Sequence, residues 1–221
     1  MGTGGPMATA TETLTLTQWF SPGFPVGAFA YSHGLEWAIE SGDVHDPVST
    51  QGWIAQILAH GAGWNDTLLL AASYRAPDKA ALQEVDAIAR ALAASKERLR
   101  ETDLQGAAFC KVVSDLSGIP LGGLCYPVAV GWAAQRAALP LELTAQMYLQ
   151  SFLSNLAAVS MRLVPLGQTA GQALIRDLTP RCIDLVDAAL PCDLDDLTST
   201  TFLAYVAAMK HETQYARIFR T

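Results

Sequence analysis

The side chains with the clearest catalytic potential stand together in the segment Ala30-Tyr31-Ser32-His33-Gly34. A serine in this setting is a loose version of the nucleophile elbow, in which a strand turns sharply into a helix and exposes the serine. No strand pattern precedes Ser32, and no parallel-sheet pattern occurs elsewhere in the sequence. The segment therefore favours a stiff, glycine-rich helix entry over a catalytic residue, and a helical hydrolase using Ser32 remains an alternative function of a different class.

Metal and nucleotide chemistry find little support in the residue pattern. His33 and Glu36 are three residues apart and can share a helix face, but a firm site needs more ligands. The segment "HETQY", which begins at His211, resembles the start of a zinc-protease motif but lacks the second histidine. The phosphate-binding pattern G-x-x-x-x-G-K-[ST] is absent. We therefore predict no catalytic residue, no metal ligand and no cofactor.

The composition predicts a protein that associates with other proteins. Of its 221 residues, 51% are hydrophobic and only 16% are charged, whereas about a quarter is usual for soluble domains. This excess of apolar residues suggests a homodimer.

The formal net charge of −7 argues against a nucleic-acid partner, and no apolar stretch approaches the length of a membrane span. The four scattered cysteines, with no C-x-x-C pair, fit a reducing cytoplasm.

The secondary structure that positions the candidate residues is predicted to be helical almost throughout the chain. Alanine and leucine dominate, and alternating β-branched residues are rare. Asp46-Pro47 predicts a helix through His60, and Asp78 a helix through the next apolar stretch. The other predicted helix starts are Thr102, Pro127, Pro165 and Thr179-Pro180. Residues 142–163 are predicted to form the buried central helix.

These elements predict an all-α fold, a single-domain helical bundle of about eight to ten helices. No repeat, linker or shift in composition divides the chain. We expect a flexible leader over residues 1–11, a helical domain over residues 12–209 and a basic tail over residues 210–221.

Two segments are harder to explain by packing alone. "MRLVPLGQTAGQ" places Arg162 at the end of the central helix, and Gln168 and Gln172 on the next helix. These side chains predict either an internal hydrogen-bond network or a corner that faces a partner, and the sequence leaves both open. In the tail, Tyr215, Ile218 and Phe219 follow a helical spacing and would be exposed if the free tail were helical, but so short a helix is marginal alone. We expect the tail to be mobile or loosely packed until it meets a partner.

Three segments together resemble the urease accessory protein F family. They are "PVGAFAYSHGLEWAIESGDV", "RLVPLGQTAGQ" and "MKHETQYARIFR", which occur in the family's order and span nearly the whole chain. Two local departures concern the tail: Ala204-Tyr205-Val206 replaces a segment that is often acidic, and Lys210 replaces a common arginine. Lysine keeps the charge but loses the bidentate geometry of arginine.

The resemblance implies an all-α homodimer without chemistry of its own that takes part in nickel insertion into urease. It implies binding to accessory protein D (called H in some bacteria), to the GTPase G and to the urease apoprotein. A helical regulator of another GTPase is the nearer alternative. On the positions that match the family's segments, the partner-binding residues would be Arg162, Gln168, Gln172, Lys210, His211, Glu212, Tyr215, Arg217, Phe219 and Arg220. The first three would face G, and the tail would dock on D.

Overall fold

The structure is a computed structural model that describes residues 8–221, and it confirms the predicted all-α class. Within this range the chain forms ten α-helices and two single-turn 3-10 helices, at Ala28–Ala30 and Leu194–Asp196. The α-helices are α1 Ala10–Trp19, α2 Leu35–Glu40, α3 Pro47–His60, α4 Ala62–Arg75, α5 Lys79–Ala91, α6 Lys96–Ser117, α7 Tyr126–Arg136, α8 Leu141–Leu163, α9 Gln168–Ala189 and α10 Phe202–His211. No helix in this range is both long and apolar enough to cross a membrane.

Helix starts marked by a capping side chain are predicted well. Asp46 accepts a hydrogen bond from the backbone N–H of Ser49, and Pro47 occupies the first turn of α3, which ends at His60 as predicted. Asp78 caps α5 in the same way, by accepting from the N–H of Ala81. These side chains satisfy N–H groups that have no partner inside the helix.

Three predicted helix starts are wrong, and one of them, Pro165, lies three residues before the start of α9 at Gln168. Helix α6 begins at Lys96, because the side chain of Ser95 caps it, and Thr102 lies inside it. Helix α9 continues through Pro180 up to Ala189, so Thr179-Pro180 does not start a new helix. An internal proline removes one backbone hydrogen bond, but α9 packs along α8, and this packing outweighs the loss.

The predicted flexible leader falls mostly outside the described residues. Its last two residues belong to α1, which begins at Ala10 and was not predicted as a helix. Thr9 and Glu12 form a capping box, in which each side chain bonds the backbone N–H of the other residue. This reciprocal pair is a sequence signal for a helix start, and it explains why residues 10 and 11 belong to α1.

The core is built around α8, as predicted, together with α4 and α7. Helix α8 buries ten residues between Thr144 and Ser160. Helix α7 is buried continuously over residues 127–134, and it lies so close to α4 that a side chain at Gly131 would overlap the carbonyl oxygen of Leu70. A second, smaller apolar cluster joins α2, the end of α8 and Phe219 of the tail.

Gly34 lets α10 pack directly on the entry to α2. Its φ of +77° lies in the left-handed region, which glycine adopts without steric cost. A Cβ atom at this position would lie 2.8 Å from the backbone nitrogen of Ala208. The opening segment, residues 30–34, therefore has a structural role as the entry to α2, as its glycines indicated. Helix α10 and the tail pack against it.

Candidate functional site

The candidate site is the place where the C-terminal tail returns to the opening segment. Its centre is Glu36, which is 5% exposed and lies in the first turn of α2. The Glu36 carboxylate accepts hydrogen bonds from the backbone N–H groups of Ile218 (2.7 Å) and Phe219 (2.9 Å). A buried carboxylate is costly unless such donors satisfy it, so Glu36 and the tail depend on each other.

His211 joins the tail to a second carboxylate. Its fully buried ring places Nε2 3.1 Å from Glu36 Oε2 and Nδ1 2.7 Å from Glu97 Oε2. The Arg217 side chain donates to the other oxygen of Glu97 at 2.6 Å. We call Glu36, Glu97, His211 and Arg217 the tail clasp. It ties α2, α6 and the tail together through charge-assisted hydrogen bonds.

The structure corrects the expectation of a loosely packed tail. Helix α10 ends at His211, and residues 212–221 follow in turns and bends instead of a helix. Phe219 is 5% exposed and packs in the cluster of Leu35 and Val164, whereas Tyr215 and Ile218 are exposed. The tail is not helical because hydrogen bonds from its backbone to Glu36 determine its conformation. In this conformation the neighbouring side chains of Ile218 and Phe219 point in opposite directions.

The end of the tail is also held by the opening segment. The backbone N–H of Ser32 donates to the Thr221 carbonyl at 2.8 Å, and the Ser32 hydroxyl donates to the same oxygen. The Arg220 N–H donates to the Ala30 carbonyl at 2.8 Å. Ser32 is fully buried in this contact. Its hydroxyl is therefore engaged in binding the tail, and the arrangement offers no support for the hydrolase alternative.

A second buried ionic cluster lies next to the clasp, under the tail. Glu101 accepts from the hydroxyl of Thr221 at 3.0 Å and pairs with Arg98, and Glu101 Oε1 lies 3.0 Å from His33 Nε2. Burial opposes ionisation of Glu101, but the charge of Arg98 and the interactions with His33 together outweigh it and lower the pKa of Glu101 to about 2. Burial also lowers the pKa of His33, and Arg98 adds to this effect. The cluster therefore holds an ionised Glu101 and a neutral imidazole.

The segment between α8 and α9 forms an exposed corner. Arg162, Gln168 and Gln172 are all exposed, and none of them forms a hydrogen bond or ion pair with the described residues. The guanidinium of Arg162 lies 6.0 Å from the centre of the Phe219 ring. These side chains are thus not part of an internal polar network, and the corner adjoins the docked tail.

The residues predicted to bind partners differ in accessibility. His211 and Phe219 are buried inside the chain, and Glu212 is half-buried and accepts from the backbone N–H of Lys96 at 2.8 Å. The others are exposed: Arg162, Gln168, Gln172, Lys210, Tyr215, Arg217 and Arg220. The two buried residues support the tail from within, so in this conformation only the exposed ones can touch a partner.

The sequence patterns did not identify Glu97 of the clasp or Glu101 of the neighbouring ionic cluster. Glu97 and Glu101 are one helical turn apart in α6 and so share a face. Their spacing is a usable signal, but the same pattern is typical of a solvated helix. No group of three or more His, Cys, Asp or Glu side chains that could hold a metal ion occurs in residues 8–221. Carboxylates and basic groups instead satisfy one another.

Comparison with known proteins identifies the family. The UreF family model matches residues 44–179, which is more than half of the chain. A urease accessory protein UreF of Ruegeria pomeroyi is 57% identical over 97% of this chain and 100% of its own length. The UreF of Roseobacter denitrificans is 52% identical over 94% and 93%, and that of Cereibacter sphaeroides is 49% identical over 94% and 98%. The chain therefore belongs to the UreF family of urease accessory proteins.

Proposed function

We propose that this protein is a helical scaffold in urease maturation that bridges accessory protein D (or H) and the GTPase G for nickel insertion. The observation that carries the proposal is the tail clasp. It docks the tail beside the exposed corner at Arg162, so that the three segments characteristic of the family form one continuous region. Hydrogen bonds from buried polar groups hold this region in place. Tyr215 and Ile218 remain exposed, where a partner can contact them.

Co-purification with purified D and G tests the scaffold role. We expect the unchanged chain to form a complex with D, and this complex to retain G and to activate urease apoprotein in the presence of nickel. Retention of an unrelated GTPase in place of G would favour the alternative, a helical regulator of another GTPase. The four cysteines are free, which supports a cytoplasmic location for these steps.

The corner at Arg162 yields a prediction about G. Arg162→Ala should leave the free energy of unfolding within about 1 kcal/mol of the unchanged protein, because its one aromatic contact is on the surface. Capture of G by the D-bound protein should fall at least tenfold, measured by co-purification. Arg181→Ala, at an exposed position of α9, is the matched control and should capture G normally. Normal capture by Arg162→Ala would reject the corner as the G contact.

We infer that the proposed homodimer forms through α10. The long apolar helix α8 is buried within its own chain and offers no such surface. Exposed apolar side chains are instead grouped on α10, at Phe202 (75% exposed), Leu203 (71%), Val206 (43%) and Met209 (53%). Burial of such a face against a second copy removes it from water, which is the main driving force of association.

The dimer prediction is tested by sedimentation at micromolar concentration. The unchanged protein should have about twice the chain mass of 23.6 kDa. Phe202→Glu combined with Leu203→Glu should sediment as a monomer, because two charges would be buried in the interface. The far-UV circular dichroism should not change, since both side chains are exposed in the single chain. A clean monomer before substitution, or a dimer after it, would count against this interface.

A further inference from the structure

A cavity of about 400 Å³ lies between the segment after α1 and helices α6 and α8. This volume falls within the range of small-molecule sites, roughly 300–1,000 Å³. The exposed residues Thr17, Pro22 and Phe29 are part of its wall, so the cavity opens to solvent. Eight of the lining residues are aromatic: Trp19, Phe20, Phe24, Phe29, Tyr31, Tyr126, Tyr148 and Phe152.

The acidic and basic side chains of the wall are Asp66, His33, Arg98 and Glu101, and uncharged polar side chains such as Thr102, Gln150 and Asn155 complete it. Arg98 pairs with Glu101, and its Nη1 lies 3.1 Å from Nε2 of the neutral His33. Asp66 accepts a hydrogen bond from the Tyr148 hydroxyl at 2.7 Å, and among the described residues it forms no ion pair. Two carboxylates and one guanidinium leave one uncompensated negative charge, which belongs to Asp66.

The environment of Asp66 shows that its charge is poorly stabilised. Burial raises the pKa of Asp66 to about 6, although the nearby Arg98 and the hydrogen bond from Tyr148 act in the opposite direction. Around it, the ring centroids of Phe20 and Tyr148 are 6.1 Å apart, and those of Tyr126 and Tyr148 are 5.5 Å apart. Asp66 therefore has a guanidinium nearby but forms no ion pair among the described residues, and it stands beside a group of aromatic rings.

We propose that this cavity binds a small alkylammonium ion, with its positive group at Asp66 and its alkyl groups against the rings of Phe20, Tyr126 and Tyr148. Aromatic faces attract cations electrostatically, and aromatic-lined pockets are a common way to recognise quaternary ammonium groups. An anion would meet the unpaired carboxylate, and a neutral apolar ligand would leave that charge without a partner. This site is separate from the tail clasp and from the corner at Arg162, and it does not depend on the proposed role in urease maturation.

The test compares choline with 3,3-dimethylbutan-1-ol, which has the same shape but carries no charge. Each is titrated into the unchanged protein at pH 7.5 while the indole N–H resonance of Trp19 is followed by NMR. Choline should shift this resonance in a saturable manner, and the alcohol should bind at least about tenfold more weakly, because it lacks the attraction to Asp66 and the rings. Equal binding of both compounds, or no saturable shift with choline, would overturn the proposal.

Asp66→Asn removes the charge and keeps an oxygen that accepts from Tyr148. It should weaken choline binding about tenfold and leave the weak binding of the alcohol unchanged. Asp187→Asn, at an exposed position of α9, is the matched control and should bind choline as the unchanged protein does. Undiminished choline binding by Asp66→Asn would contradict the assignment of the cation to this carboxylate.

The unchanged protein supplies a second test that requires no variant. Asp66 is ionised above its pKa of about 6 and protonated below it. The affinity for choline should therefore be nearly constant above pH 7, fall as the pH drops through 6, and level off near the about tenfold lower affinity expected for Asp66→Asn. An affinity that does not change between pH 5 and pH 7 would exclude Asp66 as the group that binds the cation.

Discussion

Substitution of Glu36 by glutamine is expected to release the C-terminal tail from the helical domain. The Glu36 carboxylate accepts from two backbone N–H groups of the tail and contacts the buried ring of His211. Hydrogen bonds to a charged group contribute about 1.5–3 kcal/mol, so opening of the tail should become about ten- to hundredfold more frequent. Amide hydrogen exchange of residues 210–221 measures this change directly.

The same variant connects the clasp with the proposed function. If accessory protein D binds the docked tail, its affinity should fall in proportion to the fraction of molecules in which the tail is still docked. Glu84→Gln, at an exposed position of α5, removes a carboxylate far from the tail contacts and should change neither property. Unchanged protection of residues 210–221 in Glu36→Gln would show that Glu36 does not anchor the tail. Lost protection with normal binding of D would separate the clasp from partner recognition.

Gly131→Ala is expected to destabilise the protein strongly, because an added Cβ atom would force α7 away from α4. Alanine normally stabilises a helix interior by about 1 kcal/mol relative to glycine. At Gly131, however, the added methyl group would overlap the Leu70 carbonyl oxygen and the Ser73 hydroxyl of α4. Because the Leu70 oxygen belongs to the backbone, the helices must move apart, and we expect the free energy of unfolding to fall by about 3 kcal/mol.

Gly52→Ala is the matched control, because Gly52 lies in α3 and a Cβ atom there would meet nothing within 4 Å. This variant should gain about 0.5–1 kcal/mol from helix propensity alone. Urea unfolding of both variants measures the two effects. A neutral or stabilising effect of Gly131→Ala would mean that α4 and α7 are not in close contact.

The sequence determined the helical class and many of the helix ends, since these depend on local contacts. Asp46, Asp78 and Gly118 act within one turn of their own helix, so their meaning is visible in the sequence. The low content of charged residues in residues 142–163 also identified the central helix, because a helix that is apolar on all sides must be buried. The three segments that carry the family resemblance are likewise recognisable from their residues alone.

Only the tertiary structure decided how these segments work together. The continuation of α9 through Pro180 depends on packing against α8, which local propensity does not include. The path of the tail depends on Glu36 and Glu97, which lie more than 100 residues away in sequence. Local spacing favoured a helix with Phe219 on an exposed face, but bonds to a buried carboxylate determined the backbone and buried the ring. The conformation of the tail is stabilised by contacts with distant segments. The spacing of residues within the tail does not predict these contacts.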